Sequence, residues 1–149
     1  MDLNDCHKKG DIKKTKLNKE LIKSLIEMSE IKEKTVNSAD LSEMNVSAYV
    51  SMAYDSLREF LEALCISYGY KVTSHLCLGE LLSSLNKDFD FKEFDRFRYI
   101  RNGINYYGNK VDFEQGKEII KKMFIMKREL YGHIRDFLWI DALGYLFLP

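Results

Sequence analysis

Residues 46–68, VSAYVSMAYDSLREFLEALCISY, decide the fold class because their apolar positions recur with the period of an α-helix. Spacing of i, i+3, i+4 and i+7 places apolar side chains on one helical face. The residues that follow this spacing are Val50, Ala53, Leu57, Phe60, Leu61, Leu64 and Tyr68. Gly69 comes next and is suited to end a helix. The stretch therefore predicts one long amphipathic helix from about Val46 to Tyr68.

Four further helices are predicted, over residues of about 18–34, 74–85, 91–107 and 112–130. Asn18, Ser74 and Asp112 are good N-terminal caps, and Gly108 is a good C-terminal stop. The first of these helices is expected to bury Leu21, Leu25 and Met28. The only proline is Pro149, so no proline interrupts these segments. Because the connections are short and no long run alternates with period two, we predict an all-α, up-and-down bundle of four to five helices.

Length and charge predict one domain of ordinary composition. The 149 residues fit a single domain, with residues 1–16 as a flexible N-terminal arm and residues 17–149 as a helical bundle. The arm is predicted because these residues are polar and lack periodicity. The formal net charge is +0, which excludes a global basic field, so any nucleic-acid binding requires a local patch.

The cysteines and the chain ends predict a cytoplasmic protein without membrane contact. The sequence has three cysteines, Cys6, Cys65 and Cys77. Because this number is odd and no two of them form a CxxC pair, reduced thiols are expected. The polar, lysine-rich N-terminus is unlike a signal peptide. Residues 136–149, DFLWIDALGYLFLP, are too short to span a bilayer and are expected to complete the core or to form a subunit contact. No cofactor or metal motif is present, so none is predicted.

The fourth predicted helix carries a polar stripe with the chemistry of a phosphate site. Asp95, Arg98, Arg101, Asn102 and Asn105 fall at helical spacing. An arginine offers a planar fork that binds phosphate bidentately, and an asparagine both donates and accepts hydrogen bonds. The ordinary alternative is a solvated face that contains an Asp95–Arg98 ion pair.

The second predicted helix supplies carboxylates that could support these arginines. Asp55, Glu59 and Glu62 share one face and are predicted to lie opposite the fourth helix. A metal is not expected, because the Glu-x-x-His pattern of ferritin-like carboxylate sites is missing. The alternative is again a solvated or ion-paired face.

Two stretches resemble the HEPN family (higher eukaryotes and prokaryotes nucleotide-binding). They are FDRFRYIRNGINYYG at residues 94–108 and VSAYVSMAYDSLREFLEALCISYGYKVTSH at residues 46–75. The resemblance covers about residues 46–131, the HEPN-like core. It implies a helical bundle that pairs as a symmetric homodimer, with two Arg-x4-6-His motifs meeting in a cleft at the dimer interface. Many members are metal-independent endoribonucleases, and some are toxins beside a nucleotidyltransferase antitoxin.

The motif can be carried over only in part. Arg101 matches the motif arginine and Asn102 the polar residue beside it, but positions 106–108 hold Tyr106, Tyr107 and Gly108 instead of a histidine. A tyrosine, with a pKa near 10, is a poor general base at neutral pH, although it can stack on a base or hydrogen-bond a phosphate. The resulting catalytic candidates are Arg101, Asn102 and Tyr106, and the ligand-binding candidates are Arg98, Asn105 and Tyr107, with Asp55 and Glu59 as supporting carboxylates.

Two functions follow as expectations. The first is a catalytically weakened HEPN-like protein that binds RNA, a nucleotide or a protein partner in a groove at the interface of a homodimer. The alternative is a metal-independent endoribonuclease, the toxin of a pair with a nucleotidyltransferase partner. A purely structural oligomer is the third possibility.

Overall fold

Six α-helices and two short strand pairs form the part of the chain that the structure describes. The computed structural model describes the backbone of residues 2–137, 139–140 and 146–147, and the side chains of residues 2–134. The elements are α1 (Leu3–Lys8), β1 (Ile12–Lys14), α2 (Lys19–Asn37), α3 (Val46–Ser67), β2 (Tyr70–Val72), α4 (His75–Leu85), α5 (Phe91–Tyr107), α6 (Phe113–Glu129), a 3₁₀ helix (Tyr131–Phe137), β3 (Trp139–Ile140) and β4 (Leu146–Phe147).

The helix ends agree with the caps read from the sequence. The Asn18 side chain accepts a hydrogen bond from Leu21 N at 3.0 Å. Asp112 accepts one from Gln115 N at 3.2 Å, at the start of α6. At the end of α5, Gly108 has a φ of +67°, a left-handed conformation that glycine adopts without a steric penalty. Local hydrogen-bond chemistry therefore defines the helix boundaries.

The prediction of a helical bundle is confirmed, with α3 at its centre. Helix α3 packs against α2, α6, α5, α4 and β2, and most of its side chains are buried. The prediction for α2 holds in part: Leu21 and Leu25 are half-buried against the core, whereas Met28 is exposed, and Ile22 and Ile26 are the completely buried residues. The buried face of α2 continues through Ser29 and Glu33, so polar side chains occupy core positions that an apolar pattern cannot reveal.

The all-α prediction needs one correction, because β1 and β2 form a small antiparallel sheet. The register pairs Ile12 with Val72, Lys13 with Lys71, and Lys14 with Tyr70. Ile12 and Val72 are buried and join the core. Each strand has three residues, too few for a period-two pattern to be recognised in the sequence.

The prediction of a flexible arm at residues 1–16 is also corrected. These residues contribute α1 and β1, and Cys6 is completely buried. Cys6 forms a disulfide with Cys77 at the start of α4, with a Cα–Cα distance of 5.7 Å, whereas Cys65 is a free, buried thiol. Reduced thiols were the wrong expectation for this pair, because contact between cysteines 71 residues apart depends on the fold and not on their spacing.

The C-terminal residues are described in part. Strands β3 and β4 pair antiparallel, with Trp139 opposite Phe147 and Ile140 opposite Leu146. The expectation that the apolar side chains of residues 136–149 complete the core or contact a subunit lies outside the described residues. Within the described part of the chain, none of the helices has the length and apolar character needed to cross a membrane.

Candidate functional site

Helix α5 lies at the edge of the bundle and leaves much of its surface open. Only two of its 17 residues, Phe94 and Phe97, are buried. Tyr99, Tyr106 and Tyr107 are 77%, 68% and 79% exposed. Helical spacing places Tyr99 and Tyr106 on one stripe. The helix therefore presents an aromatic and polar surface on which a ligand or a second protein surface can lie.

Arg101 is the most enclosed charged side chain of this surface. Its side chain is 13% exposed, and its guanidinium carbon lies 5.5 Å from the centre of the Tyr54 ring and 5.7 Å from that of Tyr106. Atom Nη1 lies 3.4 Å from both the Tyr106 hydroxyl and the Asn102 side-chain oxygen. The structure thus brings together the three residues that the sequence singled out as catalytic candidates.

Asp55 joins Arg101 to a second arginine. Its Oδ1 lies 3.7 Å from Arg101 Nη2 and 3.9 Å from Arg58 Nε, distances longer than hydrogen bonds. Asp55 Oδ1, Arg58 Nε and Arg101 Nε are buried without a hydrogen-bond partner. Arg58 is held on its other side by Glu62, with Nη1 2.8 Å from Oε1. Two guanidinium groups therefore share one carboxylate, and the Nε atom of each has no hydrogen-bond partner.

Tyr54 links these arginines to His75 on α4. The buried Tyr54 hydroxyl lies 3.2 Å from His75 Nδ1, and the ring centres are 5.6 Å apart. Burial, with the positive charges of Arg58 and Arg101, lowers the pKa of His75 from 6.5 to about 4, while Asp55 opposes the shift. His75 is therefore neutral at physiological pH. We call Tyr54, Asp55, Arg58, His75 and Arg101 the Arg101 cluster.

Three ligand-binding candidates do not join the Arg101 cluster. Arg98 binds Asp95 through Nε at 3.0 Å and Nη2 at 2.8 Å, which is the ordinary ion pair considered as the alternative. Asn105 accepts a hydrogen bond from the Ser51 hydroxyl at 2.8 Å. Tyr107 is highly exposed. These residues flank Arg101 on the same helix and contribute to the open surface.

Of the two supporting carboxylates, only Asp55 lies beside Arg101. Glu59 pairs with Lys32 on α2 and lies 3.8 Å from Arg58 Nη2. The expectation that Glu59 supports an α5 arginine is corrected in this respect, because its neighbour across the core is α2. Helical spacing placed the carboxylates on one face of α3 but could not show which neighbouring helix each one meets.

The candidates chosen from the sequence do not include three members of the cluster, Tyr54, Arg58 and His75. Tyr54 and Arg58 lie on α3 one helical turn apart, on either side of the candidate Asp55. His75 is the first residue of α4, immediately after the Ser74 cap. No motif connects these positions to Arg101, since the contact arises only when α3, α4 and α5 pack together.

Comparisons with known proteins do not assign the chain to a family. No protein-family model matches the sequence, and a search of curated proteins found no match.

Proposed function

We propose that this chain is a HEPN-like module that binds RNA or a nucleotide through a phosphate group at the exposed surface of α5. The observation that carries the proposal is the state of Arg101. Its guanidinium is almost enclosed, yet its Nε has no hydrogen-bond partner and its closest carboxylate is 3.7 Å away. The contacts of its Nη1 and Nη2 atoms are 3.4 to 3.7 Å long, so a phosphate oxygen that reaches these atoms would form the close, charge-assisted hydrogen bonds that Arg101 lacks.

The ion pairs around Arg101 leave its guanidinium only loosely paired. Asp55 lies between Arg58 and Arg101 and can neutralise only one of them. Arg58 is compensated by Glu62, which leaves Arg101 to share Asp55. A phosphate placed against Arg101 would give its guanidinium the close contacts that Asp55, at 3.7 Å, does not provide, and the exposed rings of Tyr106 and Tyr107 give bases a surface to stack on.

A homodimer is part of the proposal, with α5 facing its counterpart in a second copy. The support is the exposed row of tyrosines on α5, since aromatic residues are enriched at protein interfaces. In such a dimer the two Arg101 side chains lie near the two-fold axis and line one groove. Light scattering of the purified protein is expected to give twice the chain mass, and a monomer at all accessible concentrations would refute the shared groove.

The binding proposal is tested by fluorescence anisotropy with a labelled single-stranded RNA and, separately, with a labelled nucleotide. We expect Arg101→Met to weaken binding roughly tenfold to hundredfold, as a charge-assisted hydrogen bond is worth about 1.5–3 kcal/mol. Arg96→Met is the matched control, because Arg96 lies on the same helix, is exposed and pairs with Glu93. Affinity should also fall as salt rises.

If neither probe binds, or if Arg96→Met weakens binding as much as Arg101→Met, the proposed site is wrong. A protein ligand would then become the better explanation for the open face of α5.

A metal-independent endoribonuclease is the second candidate, favoured by the contact between the Tyr106 hydroxyl and Arg101 Nη1. That contact puts an O–H group and a phosphate-binding cation side by side at the position of the motif histidine. In this role the chain would act as a toxin beside a nucleotidyltransferase partner. Incubation with a mixed RNA pool in EDTA should then yield cleavage that Arg101→Ala abolishes, whereas intact RNA would leave binding alone.

A further inference from the structure

His75 is fixed in place by its neighbours at the start of α4. Ser74 caps the helix, and the Cys6–Cys77 disulfide fastens its first turn to α1. The Tyr54 hydroxyl lies against Nδ1 of the ring. Because the two ring nitrogens lie on opposite edges of the imidazole, Nε2 is directed away from Tyr54.

The charged groups around His75 come from both packed helices. Helix α3 contributes Arg58 and Asp55, and α5 contributes Arg101 and Arg98. Three cations thus act on the ring against one carboxylate. Asp11 of the N-terminal segment contacts Thr73, two residues before His75, at 3.3 Å. An imidazolium is disfavoured in this environment by burial and by like charge, and an added anion would remove much of that penalty.

The geometry points to a new role for His75: when a phosphate group of RNA or a nucleotide binds beside Arg101 at mildly acidic pH, His75 takes up a proton from solvent and donates a hydrogen bond from Nε2 to that phosphate. This inference rests on the proposed function. The Tyr54 hydroxyl can donate to Nδ1 while the ring is neutral and accept from it once the ring is charged. Tyr54 thus remains a partner in both states and holds the ring orientation.

His75 is a binding group of the opposite kind to Arg101. The guanidinium carries a permanent charge, whereas His75 is neutral in the free protein and becomes charged only with the ligand. The free site therefore avoids placing a fourth cation near Arg58, Arg98 and Arg101, and the bound site gains a charged donor to the phosphate. Binding and proton uptake are then coupled, so that each favours the other to the same extent.

The direct test is a pH titration of the histidine resonances by NMR in the intact protein, free and bound to an oligouridylate, whose own groups keep their charge over the range. We expect the pKa of His75 to rise from about 4 by at least about one unit on binding, which corresponds to a tenfold coupling. The resonances of His7 and His133 serve as internal controls. Arg101→Met should weaken the binding and reduce the rise.

Affinity measured across pH gives a second readout. In the wild type, oligouridylate binding should strengthen up to tenfold for each unit of decreasing pH through the bound-state titration. His75→Gln should lose most of this dependence, and His133→Gln should retain it. Should His75→Gln fail to fold, the titration of the native protein still decides.

The two proposals fail in different ways. If RNA binds and depends on Arg101, while the His75 titration is unchanged by ligand and His75→Gln binds with the wild-type pH dependence, the role of His75 is wrong and the proposed function stands. If neither oligouridylate nor the labelled nucleotide binds, both are overturned.

Discussion

Two groups of charged residues lie on opposite sides of α3, and they are built differently. On one side the completely buried Lys127 has its ammonium 2.9 Å from Glu30 Oε1 and 3.2 Å from Glu33 Oε1. The same ammonium donates to the Ser56 hydroxyl at 3.3 Å. Tyr131 donates to Glu30 at 3.1 Å and closes the group. We call Lys127, Glu30, Glu33, Ser56 and Tyr131 the Lys127 cluster.

On the other side, the Arg101 cluster has the reverse balance. Lys127 is one cation between two carboxylates, whereas Asp55 is one carboxylate between two guanidiniums. Contacts of 2.9–3.3 Å satisfy the ammonium, whereas Asp55 lies 3.7 Å from Arg101 and 3.9 Å from Arg58. Glu62 holds Arg58 at 2.8 Å, so Arg101 is the loosely paired guanidinium of the two. The difference indicates that the Lys127 cluster holds helices together, while the Arg101 cluster keeps the loosely paired donors on which the proposed phosphate site rests.

Replacing Lys127 should give the largest change in stability of the variants that compare the two clusters. Lys127→Met should lower the free energy of unfolding by about 3–5 kcal/mol, because it leaves Glu30 and Glu33 without their shared cation inside the protein. Chemical denaturation followed by circular dichroism measures the loss. Lys121→Met is the control on the same helix, since Lys121 is exposed, and it should change stability by less than about 0.5 kcal/mol. Equal effects of the two variants would show that the Lys127 cluster does not stabilise the bundle.

A smaller loss is expected from the hydroxyl that closes the Lys127 cluster. Tyr131→Phe removes the donor to Glu30 and should cost about 1.5–3 kcal/mol, the range for a hydrogen bond to a charged group. Burial and the charge of Glu30 raise the pKa of Tyr131, so the hydroxyl keeps its proton at neutral pH. Thermal unfolding compared with Tyr99→Phe, a change at an exposed ring, separates this effect from a general response to losing a hydroxyl.

The same contrast explains what could be predicted from the sequence. The five long helices follow from apolar period and from caps such as Asn18 and Asp112, which depend on residues close together in the chain. Lys127 could not be predicted as buried, because an isolated lysine is normally exposed and only its carboxylates on α2 make burial tolerable. The disulfide and the β1–β2 sheet were missed for the same reason, since both join distant segments.

In the candidate site, too, contacts within one helix could be predicted and contacts between helices could not. Arg101, Asn102 and Tyr106 lie on one helix, and their spacing alone allows mutual contact. Tyr54 and His75 come from α3 and α4 and reach Arg101 only through tertiary packing. A local pattern could therefore identify the arginine but not the groups that set its environment.

The pH dependence of stability provides a third test, on the Arg101 cluster. The pKa of His75 is about 4 in the folded protein and 6.5 ordinarily, so the unfolded chain binds more protons between these values. The free energy of unfolding therefore rises as pH rises through this window, and His75 contributes no further change above it. The contribution should be about 1–2 kcal/mol, after allowance for partial exposure. Denaturation at several pH values should show a shallower rise in His75→Gln and an unchanged rise in His133→Gln.

The smallest expected change in stability is also the one that decides between the two kinds of cluster. Arg101→Met should alter the free energy of unfolding by no more than about 0.5 kcal/mol, because Asp55 keeps Arg58 as a partner and the methionine covers the Tyr54 ring. The same variant should lose most of its RNA affinity. Measured by denaturation beside Lys127→Met, a loss of several kcal/mol for Arg101→Met would make Arg101 a structural ion-pair residue, and the polar stripe of α5 would then be the ordinary solvated face. A negligible loss together with lost binding means that the unsatisfied donors serve the ligand and not the fold.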